Sequence, residues 1–252
     1  MLARSPESIT EAEGFGRFTS KCVMPVAGEH FGGSMDAAVK SLLEAPATWH
    51  VAEFKTHNAK SFADLSKKGV QKAKPLHHAQ MQAYMGLAGM KRAVYVAVCK
   101  DTDELHIERV EFDEKEFERL MERAGQVIFA AEQPPRVSED PAWFACKFCT
   151  FRELCHGTAA PEVNCRTCVH STPEASGEAR WSCDAHGRNI EIAEQRVGCP
   201  KHLHFPALLE RFAEFVIAEE GTATYKNTLT GATFGPNIWR VPIRQKLFIG
   251  VR

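Results

Sequence analysis

The sequence predicts a mixed α/β (α+β) fold, a central mixed sheet flanked by helices, followed by a small cysteine-rich C-terminal module. Three observations carry this. Strand-like and helix-like runs alternate in the order β-β-β-α-β-β-α, an order that builds layers around one sheet. At the proline-rich connector "QPPRVSEDPAWF" the texture changes to short, cysteine-dense pieces. Seven of the nine cysteines then fall between Cys146 and Cys199, two C-x-x-C pairs among them. The expected division is residues 1–157 and residues 158–252.

Each element has its own signal. "RFTSKCVMP", from Arg17 to Pro25, reads as a strand, "VAGEH" as a turn, "FGGSMDAAVKSL" as the returning strand and "WHVAEFKTH" as a third. "NAKSFADLSKKGVQKAKP" is polar, carries Lys60, Lys67, Lys68, Lys72 and Lys74, and reads as an exposed basic loop or short helix. Leu76 to Met90 has the apolar density and length of a helix. "RAVYVAVCK" and "LHIERVEF" read as strands joined by the turn "DTDE". Asp113 can cap a further helix, which runs until Pro134 and Pro135 stop it. Beyond the connector, "FPALLERFAEFVIAEE" is expected as an amphipathic helix and "TYKNTLTGATF" as a hairpin.

Composition narrows the function classes. An apolar share of 44% over 252 residues supplies a sizeable core. A net charge of −1 rules out a whole-molecule field for nucleic acid or membrane, so any such surface is a local patch. No apolar run approaches the roughly 20 residues a bilayer requires, and "MLARSPESITEAEG" lacks the layout of a signal peptide. The expectation is a cytoplasmic protein with no membrane partner, in which clustered cysteines bind metal rather than form disulfides.

The strand "HVAEFKTHN" holds opposite charges in an apolar run. Side chains alternate along a strand, so Trp49, Val51, Glu53 and Lys55 share one face and Ala52 and Phe54 the other. Burying either charge unpaired is costly. An ordinary ion pair at a wet strand end is one explanation. Asp36 in "GGSMD" supplies another, since two carboxylates and the Phe54 carbonyl would make an oxygen-rich site for Mg²⁺ or Mn²⁺. Such an ion could polarise a phosphodiester while Lys55 orients the attacking water or stabilises developing charge. Gln80 and Tyr84, four residues apart, share a helical face, either packed under the sheet or serving the site.

Asp36 in "GSMD", Glu53-Phe54-Lys55, and Gln80 with Tyr84 in "QMQAY" resemble, in order, the G-x-x-D, E-x-K and Q-x-x-x-Y motifs of the PD-(D/E)XK nucleases, RecB-like and CRISPR-associated exonuclease branch. The resemblance implies a restriction-endonuclease-like core and a catalytic set of Asp36, Glu53, Lys55, Gln80 and Tyr84. It implies a Mg²⁺- or Mn²⁺-dependent deoxyribonuclease, an exonuclease acting on DNA ends or single strands in recombination, repair or phage DNA metabolism. Lys60, Lys67, Lys68, Lys72 and Lys74 would then flank the phosphate path, a solvated basic surface being the other reading.

"CKFCTFRELC" places Cys146, Cys149 and Cys155 in a C-x2-C-x5-C spacing that can fold around one metal centre. The resemblance implies a [4Fe-4S] cluster completed by a fourth, upstream cysteine; a second Zn²⁺ completed by His156 is the alternative. Cys22 and Cys99 are further fourth ligands or buried apolar side chains. Only 35 residues precede Asp36, so the family's upstream helix has no evident counterpart. The chain is therefore expected to be a shortened relative or one completed by another polypeptide. The competing classes are a weak or inactive nuclease-derived module that binds DNA or protein, and a regulatory metal-binding protein. Cys165, Cys168, Cys183 and Cys199, spaced C-x2-C-x14-C-x15-C, can close a tetrahedral Zn²⁺ site with His170, His186, His202 and His204 as alternates. Zn²⁺ there would supply much of a small module's folding free energy. Similar tails in phage-encoded RecB-like proteins point to a bacterial or phage-infected cell.

Overall fold

Alternating apolar residues in the first half of the chain resolve into a mixed sheet with two helices packed on one face. The computed structural model describes residues 20–23, 29–130, 134–157, 159, 161–210, 212–219, 222–228 and 231–235. It divides into two units, Met1–Phe129 with Ala175–Ala179, and Ala130–Glu174 with Arg180–Arg252. Cys146, Cys149 and Cys155 therefore group with the second unit.

In the first unit β1 (Ser20–Val23) and β2 (Gly32–Met35) pair antiparallel. The remainder of the strand expected from Arg17 to Pro25 lies outside the described residues. "FGGSMDAAVKSL" is broken at Asp36, because β2 ends at Met35 and β3 (Ala37–Val39) joins the main sheet. β4 (His50–His57) runs antiparallel to β3, with Ala37 opposite Ala52 and Ala38 opposite Val51. The ladder stops there, so from Glu53 onward this edge of β4 has no backbone strand beside it among the described residues.

Two helices, α1 (Ala59–Ala73) and α2 (Pro75–Ala88), lead to β5 (Arg92–Cys99), which lies parallel to β4. They provide the crossover that a parallel pair requires. The lysine-rich segment is thus helical, in two pieces that meet at Gly69. Its start is set by Asn58, whose side chain accepts the Ser61 N–H at 2.9 Å. At Gly69 the backbone takes φ 73° and ψ 165°, a kink that glycine adopts without a Cβ clash. The Val70 N–H, released from the helical ladder, donates to the Glu108 carboxylate at 2.8 Å. Pro75 opens α2, and Gly89 closes it in a left-handed conformation.

β6 (Leu105–Glu111) completes the described sheet in the order β3-β4-β5-β6, and α3 (Glu114–Ile128) packs on α2. Asp113 caps α3 by accepting the N–H groups of Lys115 and Glu116. The helix ends at Ile128, before the prolines expected to stop it. Val51, Leu65, Met81, Met85 and Tyr95 are fully buried between sheet and helices. Each such aliphatic side chain contributes about 1.5–3 kcal/mol. Buried Gln82 donates to the Glu111 carbonyl at 2.9 Å and accepts the Asp113 N–H at 2.8 Å, tying α2 to the β6–α3 joint.

The second unit is built from short pieces. α4 (Phe144–Lys147) and α5 (Arg152–Cys155) are single turns. β7 (Ser171–Pro173), β8 (Trp181–Cys183) and β9 (Arg188–Ile190) form one antiparallel sheet. β10 (Ala213–Glu219), β11 (Thr222–Asn227) and β12 (Thr233–Phe234) form another. The hairpin expected in "TYKNTLTGATF" is the β11–β12 pair, with Tyr225 opposite Phe234. The helix expected in "FPALLERFAEFVIAEE" is not formed. Pro206–Leu208 is a single 3-10 turn, and the β-branched and aromatic run Phe215-Val216-Ile217 extends into β10 to pair with β11.

Candidate active site

Asp36 stands where β2 gives way to β3, directly before the residue that pairs with Ala52. Its side chain continues where the ladder stops, Oδ2 accepting the Phe54 N–H at 2.9 Å. A strand residue carries its N–H and C=O on the same edge, so the Phe54 carbonyl lies on the Asp36 side of β4. Glu53 projects to the helix-covered face and is 0% exposed. The Lys55 ammonium donates to Glu53 Oε1 and lies 4.0 Å from Asp36 Oδ2. Asp36, Glu53 and Lys55 are thereby brought together.

Glu53 Oε2 is buried without a hydrogen-bond partner among the described residues. Such an atom is costly to bury. Burial is the main reason the Glu53 carboxyl is pushed above the ordinary carboxylate range; the Lys55 hydrogen bond and charge oppose this, and Asp36 adds to it. A cation ligand would use that orphaned oxygen. The donor set, two carboxylates and a strand carbonyl, suits a hard divalent ion.

Gln80 and Tyr84 meet on one face of α2, the Gln80 amide donating to Tyr84 Oη at 3.3 Å. Tyr84 donates to the Ser34 carbonyl at 2.9 Å, two residues before Asp36. A Cβ at Gly33 would stand 2.8 Å from the Tyr84 ring, so the close approach of β2 to α2 requires glycine there. Gln80 and Tyr84 thus brace the strand that presents Asp36.

Three polar residues beside the site escaped the sequence reading. His57 donates or accepts through Nε2 at 3.0 Å from Tyr95 Oη, and His77 Nδ1 lies 2.8 Å from the same oxygen. Desolvation, reinforced by the charges of Glu53 and Glu108, pushes the Tyr95 phenol up to about 12 and keeps it protonated. Spacing held the signal: His57 is two residues after Lys55 on the same strand face, and His77 three before Gln80 on the same helical face. Of the basic residues, Lys60, Lys67, Lys68 and Lys72 are exposed on α1, Lys68 pairing with Asp64 at 2.6 Å. Half-buried Lys74 instead donates to Ser61 Oγ at 2.8 Å.

In the second unit Cys165, Cys168, Cys183 and Cys199 line one cavity with His170 and His186. Burial and the nearness of the other three thiols push the Cys165 thiol up. Cys199 Sγ lies 3.5 Å from His186 Nε2, and the Leu203 N–H donates to Cys168 Sγ at 3.5 Å. Cys146 is buried, and Cys149 and Cys155 are near enough to raise its pKa further after burial. Among the described residues no group of three or more His, Cys, Asp or Glu side chains stands in a metal-holding arrangement. Cys22 lies on β1 opposite Gly33, its side chain outside the described residues, and Cys99 is buried in the first unit.

Comparison with known proteins shows the family. The family model of the PD-(D/E)XK nuclease superfamily matches residues 3–156, and the chain belongs to that superfamily. No curated protein matches significantly. The crystal structure of SSO0001 is similar at 19% identity and a TM-score of 0.35, over 51% of this chain and 52% of that one. The chain thus spans about half the length of that solved structure. No helix among the described residues is long and apolar enough to cross a membrane.

Proposed function

We propose that the chain is a metal-dependent DNA nuclease of the RecB-like branch, acting exonucleolytically at DNA ends or on single strands. The observation that carries the reading is the convergence of Asp36, Glu53 and Lys55 at the free edge of β4, with Glu53 Oε2 buried and unsatisfied. Asp36, Glu53 and the Phe54 carbonyl would hold Mg²⁺ or Mn²⁺, which supplies Lewis acidity toward a phosphate oxygen and the attacking water. Lys55 holds Glu53 in place and presents N–H donors where negative charge develops on the phosphate. Gln80 and Tyr84 keep β2, and with it Asp36, in register with the Glu53 strand. Exposed Lys60, Lys67, Lys68 and Lys72 attract the backbone along α1.

The cysteines of the second unit act in structure rather than chemistry. Cys165, Cys168, Cys183 and Cys199 are a thiolate set suited to Zn²⁺, which would leave no position for water. Cys146, Cys149 and Cys155 would hold either a [4Fe-4S] cluster or a second Zn²⁺; a brown colour after anaerobic purification indicates iron-sulfur, and in a colourless protein metal analysis tests for zinc. Cleavage of linear and circular, single- and double-stranded DNA with Mg²⁺ or Mn²⁺ tests the main reading. Degradation of linear DNA alone, abolished in Glu53→Ala and Lys55→Ala, supports it. Circular substrate cut as readily refutes exonuclease action, and an inert wild-type protein refutes the nuclease.

A further inference from the structure

A cavity lies at the C-terminal half of β4, lined by Phe54, Lys55, Thr56, His57, His77 and the β5 residues Val96 and Val98. Its polar lining comprises Lys55, Thr56 and two histidines, with no carboxylate. The hydrogen bonds behind it form a continuous chain. Lys74 Nζ reaches Ser61 Oγ at 2.8 Å, Ser61 Oγ reaches His57 Nδ1 at 3.1 Å, His57 Nε2 reaches Tyr95 Oη at 3.0 Å, and Tyr95 Oη reaches His77 Nδ1 at 2.8 Å.

One polarity runs all four bonds of this chain in the same direction and leaves the ring proton of His77 free at its end. Lys74 has only donors, so Ser61 accepts from it and passes its own hydroxyl proton to His57 Nδ1. His57 is then the Nε2–H tautomer and donates to Tyr95, which donates to His77 Nδ1. His77 ends the chain as an Nε2–H donor with no hydrogen-bond partner for that nitrogen among the described residues. Burial first, then the charge of Lys55, lowers the His77 pKa and keeps the ring neutral.

We propose that this cavity is a phosphate subsite, in which His77 Nε2–H donates to a non-bridging oxygen of a nucleic-acid phosphate beside the one that Lys55 serves. Ser61, His57 and Tyr95 are positioning residues that fix the His77 tautomer. The inference rests on the nuclease reading and deepens it by naming a residue that holds the strand. A neutral donor suits the place, because it binds the anion without adding a second cation that would repel Lys55.

The test uses the full chain and fluorescently labelled single-stranded oligonucleotides, 5′-phosphorylated or 5′-hydroxyl, bound without added Mg²⁺ or Mn²⁺ so that cleavage does not intervene. His77→Asn keeps an acceptor near Nδ1 for Tyr95 but removes the outer donor. It should weaken binding on the order of tenfold, the scale of one hydrogen bond to a charged oxygen. His77→Gln, whose amide reaches the outer position, should recover most of the loss. Because no charge is removed, the salt dependence of binding should match wild type in His77→Asn and flatten in Lys55→Gln. A loss confined to the 5′-phosphorylated oligonucleotide assigns the subsite to a terminal phosphate; an equal loss with both assigns it to a backbone phosphate. Long-range ¹H–¹⁵N NMR should show both histidines as Nε2–H tautomers before DNA is added. Wild-type affinity in His77→Asn, or an Nδ1–H tautomer at His77, overturns the subsite while the nuclease reading stands. A wild-type protein that binds no oligonucleotide and cleaves none overturns both.

Discussion

The carboxylates of the first unit and the thiols of the second are held in place by different means. Glu53 lies in a strand whose neighbours Val51 and Tyr95 are fully buried, under helices that add Leu65, Met81 and Met85 to the same core. Around the four-cysteine cavity the strands are three residues long, and the apolar cluster of that unit, Leu209, Ala213, Tyr225 and Phe234, belongs to the other sheet. A large core can carry an electrostatically awkward site and keep its fold. A small one needs its polar side chains to hold it together.

The largest expected effect follows from that contrast. If Zn²⁺ sits on the four thiols as proposed, Cys165→Ser combined with Cys168→Ser should unfold the second unit, since structural zinc supplies on the order of 10 kcal/mol to small modules. Limited proteolysis should then clip residues beyond Ala130 and spare the β3–β6 sheet; equal protection of both halves would erase the distinction. Next, Glu53→Ala should reduce cleavage on the order of a thousandfold, about 4 kcal/mol of lost transition-state stabilisation. Its thermal midpoint should nevertheless match or exceed that of wild type at neutral pH, because the folded state raises the Glu53 pKa and so disfavours the charged form. The cost begins as pH rises above the ordinary value of 4.5 and is absent below it. Calorimetry at pH 4 and pH 7 would therefore show the gain only at the higher pH.

Smaller effects sharpen the comparison. Tyr84→Phe removes the hydrogen bond to the Ser34 carbonyl and should cost about 1 kcal/mol in urea unfolding. Cleavage should fall with it if Asp36 loses its register, whereas a stability loss with unchanged rate would make the brace purely structural. The smallest effect is in the second unit, where Arg188 holds Glu194 through two contacts, at 2.7 and 2.8 Å, and lowers the Glu194 pKa to about 2. A depressed carboxylate stabilises above its ordinary 4.5 and loses that contribution as pH falls toward about 2. Arg188→Ala should lower the midpoint slightly at neutral pH, with the difference closing in acid; the pair is exposed, so the effect is small.

Much of the first unit was legible because its signals are local. Strand alternation, the Asp113 cap, and the spacing of Glu53 with Lys55 and of Gln80 with Tyr84 can all be read within a few residues. The full length of α1 was hidden by Gly69, whose kink is supported by Glu108 from another strand. Strand β10 was misread for a related reason. "LLERFAEF" has helical spacing, but its partner β11 outweighs that local preference. His57, His77 and Tyr95 come together across 18 and 38 residues of chain, a separation that a motif search does not span.

The short length of β3 has a consequence for solubility. A sheet margin left open invites another chain to add a strand, and proteins guard such margins with charge. Asp36 occupies the Phe54 N–H that an incoming strand would take, and Lys55 sets an ammonium beside it. The opening beside the two carboxylates is thus kept from self-association by the same side chains. Asp36→Ala should be the variant that precipitates on concentration, with light scattering as the check.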